Sequence, residues 1–208
     1  DNDCPMEYHK SRRYCREGFT IVILRGSPYE LGYARGGLLR EEIQAWVRES
    51  LSEIEQQRRE RNLDQESLKK NIARLEAAIP TEFKAELEGM AASSGVDYST
   101  LLQLNVWSNV YAGCTSVAVI GHDGKLLRSR NYDWIPIRLL LPAILSIYQP
   151  DNGYGFMSVH APGIIGVATG MNEKGITFGS HTLPGGKHDG KALPSGTLNR
   201  LILQYSGS

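Results

Sequence analysis

The chain has 208 residues, 41% hydrophobic and 22% charged. That suits one globular domain with a full core, or a domain with a helical extension, and excludes a disordered segment. Its 23 Lys and Arg balance 23 Asp and Glu, so no basic field steers it toward nucleic acid or an anionic membrane. No stretch reaches the apolar length of a membrane-spanning helix; residues 135–147 come nearest and are interrupted by Pro136, Arg138 and Pro142.

Residues 1–18 are polar and read as an irregular arm. Cys4 and Cys15 are close enough in sequence to bridge, or they are two unrelated reduced thiols. A bridge would leave Cys114 as the odd thiol and favour a secreted or periplasmic protein; reduced thiols would fit the cytoplasm. The chain opens on Asp1, as a mature form after signal removal or a trimmed one would.

The β-branched run at 19–24 predicts a strand. A helix follows, with Ser27 as N-cap, Pro28 at its first position and Glu30 in its first turn. Leu39, Ile43, Val47, Leu51 and Ile54 form one amphipathic stripe, whose outer end at 55–60 is a solvated charged face. Asp64 caps a second helix carrying Leu68, Ile72, Leu75 and Ile79. Pro80 breaks it and opens a third with Phe83, Leu87 and Met90, ending near Gly95; a fourth spans about 99–111.

At Cys114 the pattern changes. Residues 114–120 alternate, Gly121, His122, Asp123 and Gly124 turn, and 125–130 return, which predicts a hairpin. Further strands are expected at 155–160, 164–169 and 176–180, with turns at 161–163 and 172–175. A Gly- and Pro-rich loop at 184–196 leads to a helical start at 197–204. Helices first and antiparallel strands after them predict an α+β fold.

The hairpin brings Cys114 within reach of Arg130 and Asp133. A guanidinium beside a thiol favours the thiolate and activates it. Asp133 can hold a protonated amine or position Arg130. Equally, the three residues describe a buried Cys beside a stabilising Arg–Asp pair. The five histidines (9, 122, 160, 181, 188) show no metal-ligand spacing. His160 or His181 could also form a Cys–His dyad with Cys114.

Cys-Thr-Ser-Val at 114–117 and Ser-Arg-Asn-Tyr-Asp-Trp at 129–134 closely resemble the choloylglycine hydrolase and acid ceramidase superfamily of N-terminal-nucleophile (Ntn) hydrolases. Gly-Met-Asn-Glu-Lys-Gly at 170–175 resembles a loop of bile-salt hydrolases, although it is also a good hairpin turn. Gly-Ser-Pro-Tyr-Glu-Leu-Gly at 26–32 is similar to the opening of the acyl-coenzyme A:6-aminopenicillanic acid acyltransferase-like (peptidase C45) branch. The resemblance implies an αββα four-layer sandwich preceded by a mainly helical pro-segment. It divides the chain into 1–113, released as an alpha chain by self-cleavage between Gly113 and Cys114, and 114–208, the N-terminal half of the catalytic core. The family's further Asn and Arg have no counterpart in this sequence.

The same resemblance makes Cys114 the nucleophile, gives Arg130 the support of thiolate and substrate, lets Asp133 orient the Cys114 α-amine, and makes Asn172 an oxyanion donor. Tyr132, Trp134 and Ile135 adjoin the site and either line an acyl pocket or belong to the core. The implied activity is hydrolysis of a linear amide through a thioester, or acyl transfer from a thioester such as acyl-coenzyme A to an amine. A binding or scaffold module with an inert Cys114 is the third reading. No cofactor is expected, with a coenzyme A thioester as a co-substrate of the transferase, and the partners are a small N-acyl amide or acyl donor. The sequence leaves oligomeric state undetermined.

Overall fold

The computed structural model describes residues 6–60, 62, 64–106, 112–134, 142–181 and 193–207, without the side chains of 112, 113 and 132–134. From Met6 onward the N-terminal arm is not irregular. It forms β1 (Met6–Tyr8) and β2 (Ser11–Arg16), paired antiparallel with each other and then with β3 (Phe19–Gly26). Both new strands are largely exposed, so they lack the apolar alternation that marks a half-buried strand. Glu17 and Gly18 both take positive φ, 50° and 81°, the conformation a tight β-hairpin turn requires. Cys15 is disulfide-bonded and Cys114 is a free thiol; Cys4 lies outside the described residues.

Gly26 leads into α1 (Pro28–Leu38), which opens on a complete capping box. The Glu30 N–H donates to Ser27 Oγ at 3.4 Å, and the Ser27 N–H donates to Glu30 Oε2 at 2.7 Å. The Ser27 donors hold the Glu30 carboxyl below its ordinary pKa. α2 (Arg40–Glu60) buries Ile43, Val47 and Ile54 as its stripe predicts, while Leu51 is 36% exposed. Asp64 caps α3 (Gln65–Ala78) through the Ser67 N–H at 2.8 Å. α4 (Thr81–Ser94) buries Phe83, Leu87 and Met90 and stops at Gly95, left-handed at φ 76°. α5 (Tyr98–Val106) follows.

Helices α1 and α4 cross in close contact because glycines remove the side chains between them. A Cβ on Gly32 would lie 1.8 Å from the Glu86 carbonyl oxygen, and one on Gly89 2.1 Å from the Tyr29 carbonyl oxygen. No side chain fits there.

The expected hairpin is β4 (Ala112–Ile120) and β5 (Leu126–Trp134), a two-stranded ribbon separate from the main sheet. The main sheet has seven strands in the order β1-β2-β3-β6-β7-β8-β9. It is completed by β6 (Ile144–Pro150), β7 (Phe156–His160), β8 (Thr169–Asn172) and β9 (Thr177–Gly179). The β3–β6 pair is parallel, with Thr20 opposite Ile144 and Gly26 opposite Pro150; the other pairings are antiparallel. Strand β6 is absent from the sequence expectation. Ile144, Ser146 and Tyr148 point to the core with two polar groups among them, so hydropathy alone does not separate the two faces.

The strand expected at 164–169 does not form. Residues 161–168 are a buried irregular segment whose backbone groups are bonded largely by side chains. Arg35 donates to the Pro162 and Ile164 carbonyls at 2.9 and 3.2 Å. Asn105 donates to the Gly163 carbonyl and accepts from the Ile165 N–H, both at 2.9 Å. From α6 (Ser195–Tyr205), Arg200 and Asn199 donate to the Ile165 and Val167 carbonyls at 3.0 and 2.7 Å. Buried backbone polar groups need such partners, and a run of Ile, Val and Ala does not reveal that distant Arg and Asn residues supply them.

One face of the sheet, bearing Val22, Leu24, Ile144, Tyr148 and Phe156, packs against the helices. The other carries Leu145, Met157, Val159 and Met171 and is approached by the ribbon. The fold is α+β with a mixed sheet. The boundary at 113/114 runs through it, since β3 and β6 lie on opposite sides of that boundary and pair along seven residues. No helix among the described residues is long and apolar enough to cross a membrane.

Candidate active site

Ribbon register places the chemistry. Cys114 lies opposite Tyr132, Ser116 opposite Arg130, and Gly113 opposite Asp133. Directly opposed residues share a face, as do residues two apart on one strand, so Cys114, Ser116, Arg130 and Arg128 form one cluster. Arg130 Nη2 donates to Cys114 Sγ at 3.0 Å. Its other bonds anchor it to the main sheet: Nη1 donates to the Ala168 carbonyl at 3.0 Å and to Thr169 Oγ1, and Nη2 donates to the Ser180 carbonyl. Arg128 docks the same ribbon on the Thr177 carbonyl at 3.1 Å and the Gly179 carbonyl at 3.4 Å. Cys114 is half-buried, so its thiol is reachable yet fixed.

Asp133 is brought opposite Gly113, alongside the peptide bond between Gly113 and Cys114. The side chains of Asp133, Tyr132 and Trp134, and the whole of Ile135, lie outside the described residues. A pocket the sequence did not point to adjoins the cluster: about 220 Å³ between β5 and the open sheet face, lined by Arg130, Leu145, Met157, Val159, Met171 and Phe178. Its apolar residues come from four strands, and only the tertiary pairing gathers them.

Asn172 is placed differently. It is buried, and its amide is fully engaged within the chain. Nδ2 donates to the Leu203 and Ser206 carbonyls, both at 2.9 Å, and Oδ1 accepts from the Lys174 and Ile176 N–H groups at 3.1 and 3.0 Å. An amide nitrogen has two donors, so none is left for an oxyanion in this arrangement. Asn172 lines a separate recess of about 450 Å³ with Tyr148, Gly155 and Glu173. It closes the β8–β9 turn and ties it to α6. Asn172→Ala is therefore expected to lower stability by about 1–3 kcal/mol by orphaning buried partners, measured as an earlier thermal unfolding midpoint. An oxyanion role would instead leave the midpoint unchanged and reduce turnover.

The two candidate histidines also separate. His160 Nδ1 accepts the Ala161 N–H at 2.8 Å. Desolvation, then the charges of Arg35 and Arg130, push its pKa down to about 3, so it stays neutral near neutral pH and is a poor base for a Cys114 dyad. His181 is exposed, and its Nε2 lies 2.8 Å from Ser116 Oγ. Among the described residues, no group of three or more His, Cys, Asp or Glu could hold a metal ion.

The chain also resembles known proteins in sequence. The sequence profile of the acyl-coenzyme A:6-aminopenicillanic acid acyl-transferase family matches residues 119–208, beginning just past Cys114 and including Arg130. An uncharacterized protein of Archaeoglobus fulgidus is 30% identical over 91% of this chain and 37% of its own length. Protein dcd1B of Dictyostelium discoideum is 27% identical over 91% of this chain and 43% of its own. Acid ceramidase of Pan troglodytes is 25% identical over 62% of this chain and 39% of its own. The chain thus spans roughly two fifths of the length of these relatives.

Proposed function

We propose that this chain, a relative of the acyl-coenzyme A:6-aminopenicillanic acid acyl-transferase family and of the acid ceramidases, carries the nucleophile of a self-processing Ntn amide hydrolase. The observation that carries the proposal is the Arg130 guanidinium on Cys114 Sγ at 3.0 Å, itself anchored on the sheet. In the first reaction Cys114 Sγ attacks the Gly113 carbonyl carbon. The C–S bond forms, the Gly113–Cys114 C–N bond breaks, and the released nitrogen takes up the proton. Water then hydrolyses the thioester, leaving a Gly113 carboxylate and a free Cys114 α-amine.

That amine has a reference pKa of roughly 7.7–8.0, which suits it to accept the thiol proton near neutrality. Asp133, opposite Gly113 in the ladder, orients it. The thiolate attacks an N-acyl amide, the amine leaves with a proton, and water resolves the thioester. Arg130 holds the sulfur and the charge that develops beside it. The 220 Å³ cavity receives an apolar acyl group.

In this proposal residues 1–113 become the alpha fragment, held to 114–208 by the shared sheet, and the ribbon begins a second sheet that closes the four-layer sandwich. Acyl transfer is the second reading, favoured by the description of the matching family: an amine replaces water, and a thioester such as acyl-coenzyme A is the donor. Intact-mass analysis tests the proposal. Fragments split at 113/114 are expected, and Cys114→Ala abolishes the cut. An added amine that outcompetes water for the acyl group assigns the transferase. An uncleaved chain that is also inert to a thiol-directed acylating probe leaves the scaffold reading.

A further inference from the structure

We propose that Ser116 and His181 form a proton relay that activates the acyl acceptor attacking the Cys114 thioester; this rests on Cys114 being the nucleophile. Three observations place the pair. Ser116 is two residues from Cys114 on β4, on the same face and roughly 7 Å along the strand, close enough for one small molecule to touch both. Its Oγ lies 2.8 Å from His181 Nε2. Arg130, directly opposite Ser116 in the ladder, donates to Cys114 Sγ and to the carbonyl of Ser180, the residue before His181. One guanidinium therefore fixes the nucleophile and the backbone that carries the imidazole.

The chemistry suits the second half of the reaction. In the relay the Ser116 hydroxyl donates to His181 Nε2, which accepts in the tautomer that carries its proton on Nδ1. The acceptor oxygen attacks the thioester carbonyl carbon. Its proton passes to Ser116 Oγ while the Ser116 proton passes to Nε2. The tetrahedral intermediate then collapses, the C–S bond breaks, and Cys114 leaves as a thiolate that regains its proton from His181 through Ser116. Thioester and water become carboxylic acid and thiol, and the relay ends as it began. His181 is exposed, so it also exchanges protons with solvent; His160, with Nδ1 occupied by the Ala161 N–H, is not placed to substitute for it. With an amine acceptor, the same relay takes the N–H proton.

The test uses the self-processed protein and the p-nitrophenyl ester of an aliphatic acid. Nitrophenolate release in the first turnover reports acylation, and the steady state reports deacylation. For Ser116→Ala and His181→Gln we expect a full burst, a steady state about 10²-fold slower, and a thioester on Cys114 that accumulates by intact mass. Imidazole added to His181→Ala should restore turnover. A normal burst and an unchanged steady state in both variants would overturn the relay alone. Burst and steady state slowed equally would overturn it too, because the pair would then serve the ribbon's structure. If the wild-type protein gives neither burst nor thioester, the nucleophile assignment fails instead.

Discussion

Arg130→Met is expected to slow both the 113/114 cut and thioester formation by about 10²–10³-fold, the usual loss when one preorganised donor beside developing charge is removed. Arg130 Nη2 is the donor on Cys114 Sγ, and the same guanidinium holds the Ala168 and Ser180 carbonyls. Arg130→Lys should recover little of the rate. A lysine offers one compact ammonium and cannot bridge a sulfur and two carbonyls along the edges of a planar fork. Alkylation of Cys114 by iodoacetamide should slow in parallel, while far-ultraviolet circular dichroism stays that of the wild type. Unchanged cutting and alkylation in a folded Arg130→Met protein would remove Arg130 from the mechanism.

Glu86→Ala should be the most damaging substitution outside the site, at about 3–5 kcal/mol. Glu86 is fully buried, and its Oε2 lies 2.6 Å from Nη2 of Arg200, which is also buried. Arg200 sits on the rings of Phe83 and Tyr148, 4.6 Å from each centroid, and Arg35 lies 5.4 Å over the Tyr148 ring. Glu86 is thus the carboxylate that compensates the buried Arg200 guanidinium, and removing it leaves that charge unpaired where water cannot reach it. Chemical denaturation should show the loss as a lower midpoint at unchanged slope. Glu86→Leu combined with Arg200→Leu should recover part of it, because a charge pair removed whole leaves no unpaired charge, although the Ile165 carbonyl loses its donor. A single-variant loss below about 1 kcal/mol would mean that the core hydrates around Arg200.

This pair also bears on processing. Glu86 on α4 precedes the 113/114 boundary and Arg200 on α6 follows it. Arg35 on α1 precedes it and bonds the Pro162 and Ile164 carbonyls beyond it. A cut at that bond would leave two fragments sharing a sheet, a core and these buried bonds.

Local chemistry explains what was legible in the sequence. The Ser27–Glu30 capping box, the Asp64 cap, the stop at Gly95 and the Gly121–Gly124 turn each depend on residues a few positions apart. The hairpin at Cys114 is local as well. A tight turn fixes its register, and the register puts Arg130 on the face of Cys114, so their proximity was legible in the sequence, while the bonds that aim the guanidinium come from the main sheet. Only the tertiary structure decided the rest. The parallel β3–β6 pair joins segments more than a hundred residues apart, the exposed strands β1 and β2 carry no burial pattern, and the 161–168 segment is held by side chains from α1, α5 and α6. Asn172 shows the difference most plainly. Its motif resembles a catalytic loop, yet its amide is engaged by carbonyls at the C-terminal end of α6 (Leu203 and the capping Ser206) and the N–H groups of its own turn. Hydrogen-bond satisfaction is settled by which groups meet in space, and for Asn172, as for the apolar cavity beside Arg130, those groups are brought together by packing.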